Sequence, residues 1–169
     1  MNIVRRPLIA TLLAASCILG GCQSRTPGAA ETTVMTWMKR KILVGNKKAA
    51  NPLPPTPENI RAGQIAFSHY CFTCHGLDGQ NTGVPFAAAV APPVPSLNSP
   101  QVQKYTDGQL KSVIATGIFP SGMPASKDLL SDEEIWSIVD YLRHLPPKGS
   151  LGEPAAYSDE EVTRLKSSK

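Results

Sequence analysis

Apolar residues recur at helical spacing in three stretches, separated by segments too rich in proline and glycine to continue a regular element. In the last stretch Ile135, Ile138, Val139 and Leu142 follow i, i+3, i+4, i+7, behind Ser131-Asp132-Glu133-Glu134 and ahead of Pro146-Pro147. That stripe predicts an amphipathic helix, opened by a capping box and stopped by the prolines. Thr106-Asp107-Gly108-Gln109 repeats the box, and Leu110, Val113 and Ile114 give a second helix its apolar face up to Gly117. The earliest of the three starts at Thr56-Pro57-Glu58, with threonine as N-cap, proline in the first helical position and an acid in the first turn. It carries Ile60, Gly63, Phe67 and Cys71 on one face. No run alternates with the period of a strand, so the expected fold class is all-α.

A fourth, weaker pattern lies nearer the N-terminus. Val34, Trp37, Met38 and Ile42 share a face if residues 33 to 44 are helical, with Lys39 and Arg40 to the side. Three readings stay open: a basic amphipathic helix lying on anionic lipid, a solvated segment without a fixed partner, and a docking strip for a partner subunit. Asn51-Pro52-Leu53-Pro54-Pro55-Thr56-Pro57 then reads as a semi-stiff linker. The expected organisation is a leader at 1–21, a tether and linker at 22–56, a helical domain at 57–147 and a polar tail at 148–169, in which residues 159–166 could add one short helix.

Charge sharpens that division. The chain of 169 residues has a formal net charge of +4, and it is unevenly spread. Residues 23–51 hold six bases (Arg25, Lys39, Arg40, Lys41, Lys47, Lys48) against Glu31, whereas residues 57–147 hold five bases and eight acids. An acidic helical domain on a basic tether calls for no nucleic-acid partner; a basic docking surface on a protein partner fits the domain better.

The first residues place the chain outside the cytoplasm. Arg5 and Arg6 precede an apolar run from Leu8 to Leu19, the layout of a secretory signal peptide and well short of the ~20 residues of a membrane-spanning helix. A retained anchor is the alternative. Leu19-Gly20-Gly21-Cys22 resembles a bacterial lipoprotein box, which implies that Cys22 becomes the lipid-bearing first residue. Gln23 behind it gives no inner-membrane retention signal. Cys17, in Ala14-Ala15-Ser16-Cys17, matches the box less well and goes with the leader. The 35 residues from Cys22 to Pro57 would have a root-mean-square reach of about 30 Å if flexible.

The chemistry lies in Cys71-Phe72-Thr73-Cys74-His75. Cys-x-x-Cys-His is the spacing that attaches one covalent haem c: two thiols reach neighbouring vinyl groups from one turn, and the next residue falls beneath the iron. A thioredoxin-like pair would want an adjacent strand, and a zinc site would want a second ligand pair; the sequence has neither. With Cys17 removed, Cys22 lipidated, and Cys71 and Cys74 on haem, none of the four cysteines is left for a disulfide.

Met123, in Gly122-Met123-Pro124, is the candidate sixth ligand, because the following proline favours an extended backbone and so a thioether presented from a loop. A core-filling methionine is the competing reading. His69 and His144 stand at helix ends and are read as exposed or dipole-favoured residues, not ligands.

From Pro57 to Pro147 the sequence resembles class I cytochrome c, in the Cys71-x-x-Cys74-His75 motif, Pro95-Ser96-Leu97, Met123-Pro124 and the set Gly63, Phe67, Tyr141. The resemblance implies a small helical fold wrapped around the haem, with first and last helices crossing at Gly63, Phe67 and Tyr141. It also implies that the Pro95 carbonyl accepts a hydrogen bond from His75 Nδ1. Trp136 is expected nearer the haem. A saturated His/Met iron favours electron transfer over catalysis. The expected function is that of a lipid-anchored carrier in the bacterial envelope, facing the periplasm and passing electrons between respiratory complexes. A fixed cytochrome subunit of a membrane oxidoreductase is the alternative, followed by a haem enzyme or gas sensor and by a lipoprotein whose haem is only structural.

Overall fold

In a computed structural model, residues 28–38, 47–90, 92–118 and 122–158 are described. Their elements in order are α1 (Ala29–Met38), α2 (Pro57–Tyr70), the single turn α3 (Phe72–His75), α4 (Pro100–Gln103), α5 (Asp107–Thr116), α6 (Asp132–Arg143) and a 3-10 turn (Ala155–Tyr157). The described residues form no strand; their one isolated bridge pairs Ile118 with Met123. None of their helices is long and apolar enough to cross a membrane. The leader, the lipoprotein box with Cys22, Ile42 and the helix expected at 159–166 all lie outside the described residues.

The core forms where α2 crosses α6. The backbone carbonyl of Ser137 occupies the space in which a side chain on Gly63 would sit, so only glycine allows the helices this close. One turn on, the Phe67 and Tyr141 rings meet at 5.2 Å between centroids and 58° between planes, a tilted aromatic pair. The Tyr141 hydroxyl donates to the Leu77 carbonyl at 3.0 Å, so this buried polar atom is satisfied. Ile135, Ile138, Val139 and Leu142, the stripe read from the sequence, are buried with Ala66, Leu110, Ile114 and Leu130.

Both capping boxes form. Thr106 Oγ1 accepts from Gln109 N at 3.2 Å while Gln109 Oε1 accepts from Thr106 N at 3.0 Å. At the start of α6 the Glu134 carboxylate accepts from Ser131 N at 2.8 Å. The far end of α6 is secured by Arg143, whose Nε and Nη2 reach Asp107 Oδ1 at 3.0 and 2.9 Å and whose Nη1 reaches the Gln103 carbonyl at 3.0 Å. A planar donor fork suits this role, joining one helix to a carboxylate and to a main-chain turn at once.

Two segments pack more firmly than their composition predicts. Residues 47–51, expected to be part of a tether and linker, are bonded to the helices: Gly108 N donates to the Ala49 carbonyl at 2.9 Å, and Thr106 Oγ1 donates to the Lys47 carbonyl. Asn51 Nδ2 donates to the Trp136 carbonyl at 2.9 Å and to Asp140 Oδ1 at 2.7 Å. The packed body therefore begins before the prolines, since one asparagine amide partners a carboxylate that α6 would otherwise bury alone. The other segment is the start of the C-terminal tail. Gly149 N donates to Asp78 Oδ2 at 2.7 Å, Glu153 lies against Gly83, Pro154 is fully buried, and the Tyr157 hydroxyl donates to the Thr73 carbonyl at 3.1 Å.

Candidate haem site

Helix α2 delivers the attachment motif. Its C-cap is Cys71, whose N–H bonds to the Phe67 carbonyl at 2.9 Å, and the next turn closes when Cys74 N and His75 N both bond back to the Cys71 carbonyl, at 3.2 and 3.0 Å. Gly76, at φ +72°, ends the turn with a bond from its N–H to the Phe72 carbonyl at 2.8 Å. The turn is thus closed by main-chain bonds, with the Tyr157 hydroxyl on the Thr73 carbonyl as a side-chain tie.

Cys71 is half-buried, Cys74 is exposed, and both are free thiols. Burial, with the neighbouring Cys74 adding to it, pushes the Cys71 thiol up to about 12. A thioredoxin-like nucleophile needs the opposite shift, so that reading is set aside on the electrostatics of the turn. Among the described residues no three His, Cys, Asp or Glu side chains converge as a metal-holding group, so the two thiols and the imidazole are not gathered about one point as a zinc ion requires.

His75 stands beside the core, its ring 6.4 Å from that of Phe67. Burial pushes the imidazole down to about 4, opposed in part by the Pro95 carbonyl close to the ring. The ring is therefore neutral at pH 7, as a metal-binding imidazole must be. Its Nδ1 is enclosed and makes no hydrogen bond of ordinary geometry. The Pro95 carbonyl thus faces the ring as the resemblance implied, but without closing the bond expected of it. Pro95 itself is fixed from both sides: Asn81 Nδ2 donates to the Val94 carbonyl at 2.8 Å, and Leu97 N donates to the Gly79 carbonyl at 2.8 Å. Asn81 N in turn bonds to the His75 carbonyl at 2.8 Å, so this asparagine, at φ +61°, spans the histidine and the proline loop.

Met123 is partly buried and packs against the core cluster. Its backbone is held by the bond from Ile118 N to its carbonyl at 3.0 Å. Gly117, at φ +68°, makes this possible, because a Cβ there would meet the Met123 carbonyl oxygen at 2.5 Å and Ala125 N at 2.8 Å. Gly122 has φ +80° and open space around it. His69 is exposed in the last turn of α2, and His144 caps α6 with Nδ1 2.8 Å from the Asp140 carbonyl oxygen. Trp136 is partly buried against the core, with Lys111 Nζ 5.9 Å from its ring centre.

One residue that shapes the site has no role in the sequence reading. Asp78 is completely buried, its carboxylate accepting from Gln80 N at 2.8 Å, Thr82 Oγ1 at 2.5 Å and Gly149 N at 2.7 Å. Burial alone would raise its pKa; these donors outweigh it and hold the carboxyl below its ordinary value. The signal available in the sequence was an acid within a glycine-rich turn three residues past the motif histidine, where a side chain can fold back on its own backbone.

The residues fit a covalent haem: two unpaired thiols one turn apart, a neutral enclosed imidazole next to them, and a thioether bordering the same apolar core. A wholly helical domain built around such a turn is a c-type cytochrome, a protein that binds haem c covalently and transfers electrons. Residues 58–142, half of the chain, match the family described as cytochrome c oxidase, cbb3-type, subunit III, and the chain belongs to that family. A solved structure, a chain of the Kuenenia stuttgartiensis reducing HAO-like protein complex, is 25% identical with a TM-score of 0.47, over 55% of this chain and 46% of that one. The chain thus spans less than half the length of that neighbour, and a likeness at this level carries no functional argument. Comparison with curated proteins finds no match.

Proposed function

We propose that this protein is a lipid-anchored monohaem electron carrier of the bacterial envelope, facing the periplasm and passing electrons between respiratory complexes. In this reading Cys71 and Cys74 would hold the haem, His75 and Met123 would ligate its iron, and Cys22 would carry the lipid. The observation that carries the reading is the backbone clamp on Met123 by Ile118 and Gly117 in a domain whose buried imidazole is neutral.

The bound haem supplies a one-electron couple. The chain's own residues hold its surroundings constant through oxidation and reduction. Burial keeps His75 unprotonated, with its lone pair available to a metal. Asn81 and Gly79 fix the loop that presents the Pro95 carbonyl to the ring, where a small shift would complete a hydrogen bond and strengthen the imidazole as a donor. Met123 offers a neutral, soft sulfur that favours the reduced metal. The crossing of α2 and α6 excludes water from the core behind these residues.

The test is the optical spectrum of the purified mature protein, oxidised and reduced, with carbon monoxide added to the reduced form. The expected result is a low-spin spectrum with the weak far-red iron–sulfur band and no response to the gas. High-spin iron or ready gas binding would take Met123 off the iron and put an enzyme or sensor in place of the carrier.

The family's description as an oxidase subunit favours one second reading, a fixed cytochrome subunit of a membrane oxidoreductase. Purification in mild detergent separates the two: a stable stoichiometric complex establishes the subunit, and a monomer establishes the free carrier.

A further inference from the structure

Helix α1 has an unusual surface for a helix of ten residues. Val34 and Trp37 are each 55% exposed and Met38 is 41% exposed, three large apolar side chains one turn apart on one face. The chain runs directly from them into Lys39-Arg40-Lys41, and Lys47 and Lys48 follow, both exposed; the opposing charge is Glu31 alone, in the first turn of the helix. Apolar residues led by a tryptophan, with a cluster of like positive charge at their end, match the chemistry of an anionic bilayer surface: rings and aliphatic groups enter at headgroup depth while lysines and arginines meet phosphate.

Position strengthens the match. The helix starts seven residues after Cys22, and the clasp at 47–51 ends the free chain on its other side. Only the eight residues 39–46 separate α1 from the clasp. Eight residues span at most about 29 Å at full extension.

We infer that α1 lies on an anionic membrane surface through Val34, Trp37 and Met38, and that with residues 47–51 clasped to α5 and α6 it holds the cytochrome domain on a leash of eight residues. The inference rests on the lipoprotein reading only in placing α1 beside a bilayer. Adsorbed this way, the domain stays within about 29 Å of α1, whereas the 25 residues from Cys22 to Lys47 could extend to about 90 Å. Electron transfer is then confined to partners whose docking sites lie close to the lipid.

The experiment adds the mature, haem-loaded protein to vesicles of phosphatidylcholine, with or without phosphatidylglycerol, containing lipids brominated near the headgroup. Trp37 emission is obtained as the difference from a Trp37→Phe variant, which retains Trp136. The expected result is strong quenching on the anionic vesicles, at least threefold weaker on neutral ones and at least threefold weaker when Lys39, Arg40 and Lys41 are replaced by glutamine. Equal quenching on both vesicles, or none, overturns the inference. So does a Trp37 shielded only when a protein partner co-purifies, which makes α1 a subunit-docking strip. The mass of the mature N-terminus tests the lipid on Cys22 separately: an unacylated chain whose Trp37 still enters anionic vesicles refutes the lipoprotein reading and leaves this inference standing.

Discussion

Asp78 accepts the Gly149 N–H at 2.7 Å, a bond across 71 residues that joins the loop behind the attachment turn to the first residues of the C-terminal segment. The carboxylate is fully buried and holds two further donors, so it organises both segments at once. Replacing Asp78 with alanine leaves those donors without an acceptor, and a loss of about 2–4 kcal/mol in chemical denaturation of the haem-loaded protein is expected. An unchanged denaturation midpoint would show that water replaces the carboxylate at no cost.

The same group gives a pH signature. Its folded-state pKa lies below the ordinary value of 3.8, so its contribution is complete above that value and is lost as the pH falls through the lower, folded pKa. Acid titration of the wild-type protein should therefore show stability falling below about pH 4. In Asp78→Asn that part of the slope should be absent, and parallel acid curves would contradict the assignment.

At the helix crossing, Gly63→Ala drives a methyl group into the Ser137 carbonyl. Backbone cannot yield as a flexible side chain does, so α2 and α6 must separate. A loss of roughly 3 kcal/mol is expected, together with altered near-ultraviolet dichroism from the Phe67–Tyr141 pair. Wild-type stability in this variant would mean the helices slide without penalty.

Asn51→Ala removes the amide that partners Asp140 Oδ1, while Asp140 Oδ2 already lacks a hydrogen-bond partner. Burial raises the Asp140 pKa, with the Asn51 amide and His144 opposing it and Asp107 adding to it. The variant should be less stable by about 1–3 kcal/mol at pH 7, and protonation of Asp140 at low pH should narrow the gap to wild type. A gap that widens on acidification would show that the charge is not the group being satisfied.

The exposed acids at the start of α6 predict the effect of salt on partner binding. Of the eight acids in residues 57–147 Asp78 and Asp140 are buried, while Asp132, Glu133 and Glu134 stand exposed together in the first turn of α6. Electron-transfer rates with a basic partner should fall as the Debye length shrinks from about 10 Å at 0.1 M salt to about 3 Å at 1 M. Rates indifferent to salt would point to an apolar docking surface.

What the sequence disclosed follows the range of the interactions involved. The capping boxes at Thr106 and Ser131 join residues three apart, and the motif from Cys71 to His75 is one turn of chain, so residue order alone carries them. The apolar stripe of α6 is equally local, and the glycine–aromatic crossing was accessible through family resemblance. Asn51 bonds a residue 89 positions away. Nothing in its proline-rich neighbourhood distinguishes an anchored asparagine from a solvated one. The C-terminal segment was opaque for a related reason: its ties run largely through main-chain groups and one tyrosine hydroxyl, which leave no periodic trace. Asp78 looked like an ordinary turn acid because its burial comes from the segment that folds over it.

The clamp at position 123 acts on main-chain atoms: Ile118 N grips the carbonyl, and Gly117 admits it. Side-chain identity there is decoupled from the path of the loop, much as a socket is indifferent to the plug it receives. In the proposed ligation, histidine or lysine at this position would retune the potential and alanine would open the iron to small molecules, each without rerouting the loop.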